Sequence, residues 1–129
     1  MKKILLLLAL TATIFVKAQA HIGVTFGDLK SYYPNKVFTY GYLSNGLMYV
    51  STNFEHGTFY YYFNEVGTTY LCCQVPYTSL DVNAQAEIYN RKYTINSTNS
   101  WTAYLDNGGI MNIKLRYDNE MQTYVFTYF

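Results

Sequence analysis

The chain has 129 residues, of which 19% are aromatic and only 13% charged, with a formal net charge of +1 at pH 7. Removing Lys2, Lys3 and Lys17 with the N-terminal segment leaves six basic residues against eight acidic ones, so the remaining chain is mildly acidic. Because nucleic-acid binding depends largely on neutralising phosphates, this balance argues against a nucleic-acid partner. Sixteen tyrosines and eight phenylalanines favour β-strands, where aromatic rings pack well on a half-buried surface.

The first 20 residues have the pattern of a secretory signal peptide. Two lysines form a basic start, an apolar run follows, and Ala18 and Ala20 are small residues before the predicted cut. Cleavage is expected before His21 or before Gln19. The apolar run is shorter than the ~20 residues that cross a bilayer. We therefore expect an exported bacterial protein, periplasmic or extracellular, with one domain over residues 21–129 and no transmembrane segment after cleavage.

The first half of that domain is predicted to form a short helix followed by strands. The helix is expected over residues 27–33, with Thr25 as its N-cap and Pro34 as its stop. Turn-forming residues separate the apolar runs that come next. The strands expected from these runs cover residues 36–42, 47–53, 58–63 and 68–75.

The second half begins with the longer predicted helix, Ser79–Lys92, capped by Thr78 or by Ser79 itself. Leu80, Ala84 and Ile88 recur every four residues, Tyr89 widens this stripe, and together they are predicted to face the core. Further strands are expected over residues 93–95, 110–117 and 123–129. Between them, the polar segment 96–109 is consistent with either one helical turn or a strand.

Two parts of the chain echo each other. Residues 42–46 (YLSNG) recur as residues 104–108 (YLDNG), and aromatic strand patterns follow both. The simplest interpretation is two α-β-β-β units, residues 27–75 and 79–129, related by duplication or convergence. The alternative is chance, because aromatic strand patterns readily resemble one another.

Two such units predict an α+β fold in which one antiparallel sheet of about six or seven strands carries both helices on one face. This tandem helix-plus-sheet layout is similar to that of secreted β-lactamase-inhibitor-type proteins. The similarity lies in layout alone and transfers no functional residue.

Strand alternation predicts where the aromatic rings point. Phe59, Tyr61 and Phe63 lie on one face of their strand, and Tyr60 and Tyr62 on the other. One face has to be core, and an open second face exposes rings with hydroxyl tips, a composition enriched in contact surfaces. The candidate binding residues are Tyr49, Tyr60, Tyr62, Tyr124 and Trp101. The alternative is that a helix, Trp101 or a second copy of the protein covers this face.

The favoured function is therefore a non-enzymatic module that binds a protein or a glycan and needs no cofactor. No Gly-x-Ser-x-Gly elbow and no glycine-rich phosphate loop occur in the sequence. The alternative function is copper binding. Cleavage before His21 makes its amine and ring available, with His56 as a third nitrogen ligand. That set resembles the histidine brace of secreted copper-binding and copper-oxygenase proteins.

Cys72 and Cys73 are the only cysteines and are adjacent. Neighbours on a strand point to opposite faces, so this pair cannot link distant parts of the fold by a normal disulfide. We expect one buried thiol and one partly exposed thiol. A strained vicinal disulfide and an intermolecular bridge remain as alternatives.

Overall fold

The computed structural model describes residues 20–106 and 108–129, so the predicted signal peptide lies outside the described residues except for Ala20. The described chain contains two helices and eight strands. In order these are α1 (Phe26–Tyr32), β1 (Thr39–Tyr42), β2 (Met48–Phe54), β3 (Gly57–Phe63), β4 (Thr69–Pro76), α2 (Ser79–Lys92), β5 (Thr94–Ser97), β6 (Ser100–Tyr104), β7 (Ile110–Asp118) and β8 (Thr123–Tyr128). Among these residues, no helix has both the length and the apolar character needed to cross a bilayer.

All eight strands form one antiparallel sheet in the order β1-β2-β3-β4-β8-β7-β6-β5. Each half of the sheet follows a helix, and the last strands of the two halves pair at the centre, with Cys72 opposite Tyr128 and Gln74 opposite Phe126. The predicted α+β fold is confirmed, with more strands than expected. The order helix and then four strands occurs twice, while a common origin of residues 27–75 and 79–129 stays a prediction.

The additional strand is β6, which lies in the segment 96–109 for which the sequence predicted either a helical turn or a strand. Its residues alternate between partly exposed and buried positions, with Trp101 and Ala103 buried. Both pair with inward residues of β7, Ile113 and Met111. Burial of the indole against a neighbouring strand therefore selects the extended conformation here.

Both helices begin with a capping box. The Thr25 hydroxyl accepts the backbone N–H of Asp28, and the Asp28 carboxylate accepts the backbone N–H of Thr25. Thr78 and Asp81 repeat this exchange at the start of α2. These contacts satisfy backbone donors that have no partner within the helix, and they confirm the predicted cap at Thr25 and select Thr78 for α2.

The two helices pack on the same face of the sheet. Leu29 of α1 and Tyr89 of α2 belong to one core cluster with the inward side chains of the strands. The stripe predicted for α2 holds only at its C-terminal end: Tyr89 is buried and Ile88 packs against the core. Leu80, at 78% exposed, and the exposed Ala84 were placed wrongly, and Val82 is buried instead. Val82 and Tyr89 are seven residues apart and therefore share a face. The Tyr89 ring sets that rotation by packing against the rings of Trp101, Phe126 and Tyr128.

Candidate functional site

The face of the sheet opposite the helices carries a group of tyrosines on its N-terminal half. Strand pairing places Tyr49 opposite Tyr62, and Tyr60 opposite Ser51 on one side and Cys73 on the other. We call the outward residues of β1–β4 that have a register partner the tyrosine face; Tyr70, which the irregularity in β4 leaves without one, is not counted in it. The face consists of Thr39, Gly41, Tyr49, Ser51, Asn53, Thr58, Tyr60, Tyr62, Leu71, Cys73 and Val75. None of these residues, all of them within the described part of the chain, is charged.

Tyr49 lies across the neighbouring edge strand, above Gly41. A Cβ atom added to Gly41 would lie 2.6 Å from the Tyr49 hydroxyl, 2.7 Å from Cζ and 2.9 Å from Cε1. The ring occupies this space because glycine has no side chain. Gly41 was not singled out from the sequence, although a glycine inside a strand is a known sign of such a close approach.

Tyr62 extends the aromatic surface formed by Tyr49. The two ring centroids are 6.0 Å apart and the ring planes are inclined by 35°. Burial, as the largest cause, raises the pKa of Tyr62 to about 12. The phenol therefore stays neutral at physiological pH and retains its hydroxyl proton as a hydrogen-bond donor. We call these two rings the Tyr49–Tyr62 platform.

Small and apolar side chains fill the sheet beside this platform. Cys73 is 8% exposed, and its Sγ lies 4.0 Å from the hydroxyl of Thr127 on β8. Cys72 points into the core and is fully buried. Both thiols are free, so no vicinal disulfide forms, and the expected partial exposure of one thiol is corrected: both are buried. Burial raises the pKa of each, which disfavours the reactive thiolate.

Charged side chains lie on the same side of the sheet, across β8 from the tyrosine face. Lys114, Arg116 and Asp118 are the outward residues of β7 beside β8. Arg116 lies 3.1 Å from the Asp118 carboxylate. The pKa of Asp118 is lowered first by the backbone N–H of Met121 and also by Arg116. The uncharged tyrosine face is thus bordered, across β8, by a strand with charged side chains.

Two of the five candidate binding residues do not belong to this face. Trp101 is 1% exposed and donates its indole N–H to Asn90 Oδ1 at 2.8 Å, so it is a core residue and does not cover the tyrosine face. Tyr124 is exposed, but it pairs with Tyr117 on the same side of the sheet as the buried Phe126. The structure brings together the other three, Tyr49, Tyr60 and Tyr62.

The two candidate copper ligands lie at opposite ends of β3. The carbonyl of His21 accepts from Thr69, which pairs with the last residue of β3, while His56 immediately precedes its first residue. At about 3.3 Å per residue, the strand separates them by roughly 20 Å. His21 Nε2 shares a hydrogen bond with the Tyr33 hydroxyl, and His56 Nδ1 lies 3.0 Å from Asp81. Within the described residues no group of three His, Cys, Asp or Glu side chains could hold a metal ion.

A cavity on the helix side is a second candidate site among the described residues. It has a volume of about 190 Å³ and lies between the end of α2 and the β6–β7 hairpin, lined in part by Tyr93, Met111 and Asp106. Its volume is below the several hundred Å³ typical of ligand pockets. The tyrosine face is therefore the stronger candidate site.

Comparison with known proteins assigns no family. The chain matches no protein-family model, and no curated protein or solved structure is significantly similar to it.

Proposed function

We propose that the protein is an exported, non-enzymatic binding module whose contact surface is the tyrosine face. The observation that carries this proposal is that Tyr49, Tyr60 and Tyr62 lie together, partly exposed, on the side of the sheet away from both helices. Its partner is a protein or a glycan in the periplasm or outside the cell.

The composition of this face differs from that of an ordinary solvated sheet. Antiparallel sheets with one wet face usually carry polar residues there, and charged side chains are the common choice on protein surfaces. Here the outward residues of four strands include three tyrosines and no charge. Tyrosine supplies a large contact area at low conformational cost because it has few rotatable bonds.

The position of these rings also favours binding. β2 and β3 are interior strands, each hydrogen-bonded to a neighbour on both sides. Their inward side chains, among them Val50 and Phe59, are fixed in the core. A surface held in this way loses little conformational entropy when a partner binds.

Site-specific photo-crosslinking in cells that produce the protein tests the proposal when the partner is a protein. A benzophenone amino acid in place of Ser51, which lies next to Tyr60, should give an adduct. The same group in place of Asn83, an exposed residue of α2, is the matched control and should give none.

Purified protein and an array of neutral and acidic glycans test the other partner class. The double variant Tyr60→Ala with Tyr62→Ala should lose both the adduct and glycan binding while keeping the far-ultraviolet circular dichroism of the wild type. The proposal would be contradicted if the adduct and glycan binding persist in the double variant. It would also be contradicted if the wild type gives neither an adduct nor glycan binding.

A further inference from the structure

The Tyr49 ring presents a flat aromatic surface rather than an upright side chain. Tyr49 on β2 is directly opposite Gly41 on β1, and the outer part of its ring lies within 2.6–2.9 Å of the position a Cβ would take there. The ring, which is partly exposed, therefore reaches sideways across the edge strand, and we take its face away from Gly41 as the contact surface. That face carries the negative part of the aromatic quadrupole, which attracts the polarised C–H bonds on the flat side of a sugar ring.

The platform is wider than a single sugar ring. Tyr62 continues it at a centroid distance of 6.0 Å, and Tyr60 follows two residues earlier on the same strand and the same face. Two adjoining rings followed by a third suit a chain of linked sugar units better than a monosaccharide.

Hydroxyl-bearing side chains share the face with these rings. Thr39, Ser51 and Thr58 are outward residues of β1, β2 and β3, whereas the charged outward residues of β7 lie across β8. A hydroxyl both donates and accepts hydrogen bonds, so it matches sugar hydroxyls, which do the same. An acidic polysaccharide would call for basic side chains, and no residue of the tyrosine face is charged.

Resting on the binding function proposed above, we infer that the tyrosine face binds an uncharged polysaccharide chain, with one sugar unit stacked on Tyr49 above Gly41. The polysaccharide runs over Tyr49 and Tyr62 toward Tyr60. An acidic polysaccharide and a protein are the competing occupants, and the experiment distinguishes them.

Gly41→Ala is the most specific variant, because the three atoms nearest to the added methyl group all belong to the far end of the Tyr49 side chain. The ring has to lift from the sheet while the strand itself stays in place. Tyr49→Phe keeps the ring and removes the hydroxyl, and Tyr49→Ala removes both. Tyr40→Ala is the matched control, since Tyr40 is adjacent to Gly41, is 63% exposed and lies on the opposite face.

Affinity electrophoresis of the purified protein measures the binding. The gels contain xylan, β-1,3-glucan, soluble cellulose or fully N-acetylated chitin oligomers, and alginate is the acidic comparison. We expect retardation by at least one neutral polysaccharide and none by alginate. Gly41→Ala and Tyr49→Ala should weaken that binding by roughly a factor of ten, as expected for losing one well-placed aromatic contact. Tyr49→Phe and Tyr40→Ala should stay close to the wild type.

No retardation by any neutral polysaccharide, stronger retardation by alginate, or binding that is unchanged in both Gly41→Ala and Tyr49→Ala would overturn the inference. If a protein adduct at position 51 then depends on Tyr60 and Tyr62, the binding function survives and only the polysaccharide is wrong. If alginate is the polysaccharide that binds, the binding function also survives and only the neutral charge of the ligand is wrong. If the adduct is absent and neither neutral nor acidic glycans bind, both proposals fail.

Discussion

Adjacent tyrosines on β3 allow the two faces of the sheet to be compared within one strand. Tyr61 is fully buried among the aromatic side chains of the core, whereas Tyr60 is partly exposed on the tyrosine face. The two residues share a side-chain type and differ by one position. Replacing each with alanine should therefore give very different losses of stability.

The expected difference follows from burial. Deleting a large aromatic side chain from a packed core costs about 3–5 kcal/mol, which includes the energy of the cavity left behind. For Tyr60→Ala we expect a smaller cost, about 1 kcal/mol, because Tyr60 is partly exposed and its paired neighbours, Ser51 and Cys73, are small. A domain of this size has a total unfolding free energy of about 5–15 kcal/mol. Tyr61→Ala thus removes a large part of it, and Tm should fall by more than about 10 °C.

Urea unfolding followed by tryptophan fluorescence measures both variants. Trp101 is the single tryptophan and is 1% exposed, so its emission should shift to longer wavelength when the core opens. The prediction is also met if Tyr61→Ala does not fold while Tyr60→Ala does. Losses that agree within about 1 kcal/mol would refute the assignment of the two faces.

Three further outcomes concern the helix cap and the thiols. Thr78→Ala removes the hydroxyl that accepts the Asp81 N–H and should lower the unfolding free energy by about 1 kcal/mol in the same urea titration; an unchanged midpoint would contradict a stabilising cap. The Thr78 hydroxyl, as the largest cause, holds the pKa of Asp81 below its ordinary value of 3.8. Because the pKa of Asp81 is lower in the folded state, this stabilisation is present above about pH 4 and is lost as pH falls through the folded pKa. The urea midpoint of the wild type should therefore decrease below about pH 4, and it should decrease less in Asp81→Asn. An equal decrease of the midpoint with pH in both proteins would contradict the cap. Cys72 and Cys73 should react with Ellman's reagent only after unfolding, because burial raises the pKa of both; rapid reaction of the folded protein would show that a thiol is accessible.

Local signals account for the features that were predicted correctly. A threonine followed by an aspartate three residues later marks each helix start, and this pair acts through contacts within one turn. The alternation between Phe59 and Phe63 depends only on strand geometry. Such features need no knowledge of the rest of the chain, so a single sequence is sufficient to predict them.

Features that depend on contacts between distant parts of the chain were harder to predict from the sequence. Trp101 lies in a segment whose spacing fits a helical turn or a strand, and its pairing with Ile113 on β7 decides between them. The rotation of α2 follows the ring contacts of Tyr89, which lay at the edge of the predicted stripe, and it leaves Leu80 and Ala84 exposed. Tertiary packing therefore overrides local periodicity in both cases.

The candidate site shows the same division. Tyr60 and Tyr62 were placed together because they share a strand, and their strand also defines which face is core. Tyr124 was misplaced because its face depends on the register of β8 against β4 and β7, and a shift of one residue reverses every side chain. Gly41 was missed because its role depends on a ring from the neighbouring strand.

Hydroxyl-radical footprinting, carried out both on intact producing cells and on the purified protein, tests the central claim without knowledge of the partner. We expect labelling of Tyr60 and Tyr62 to be several-fold lower in cells than in the purified protein. Tyr40 and Tyr42, which are 63% and 66% exposed on the opposite face, should be labelled equally in both. Equal labelling of all four tyrosines, or protection confined to Tyr40 and Tyr42, would contradict the assignment of the tyrosine face as the binding surface.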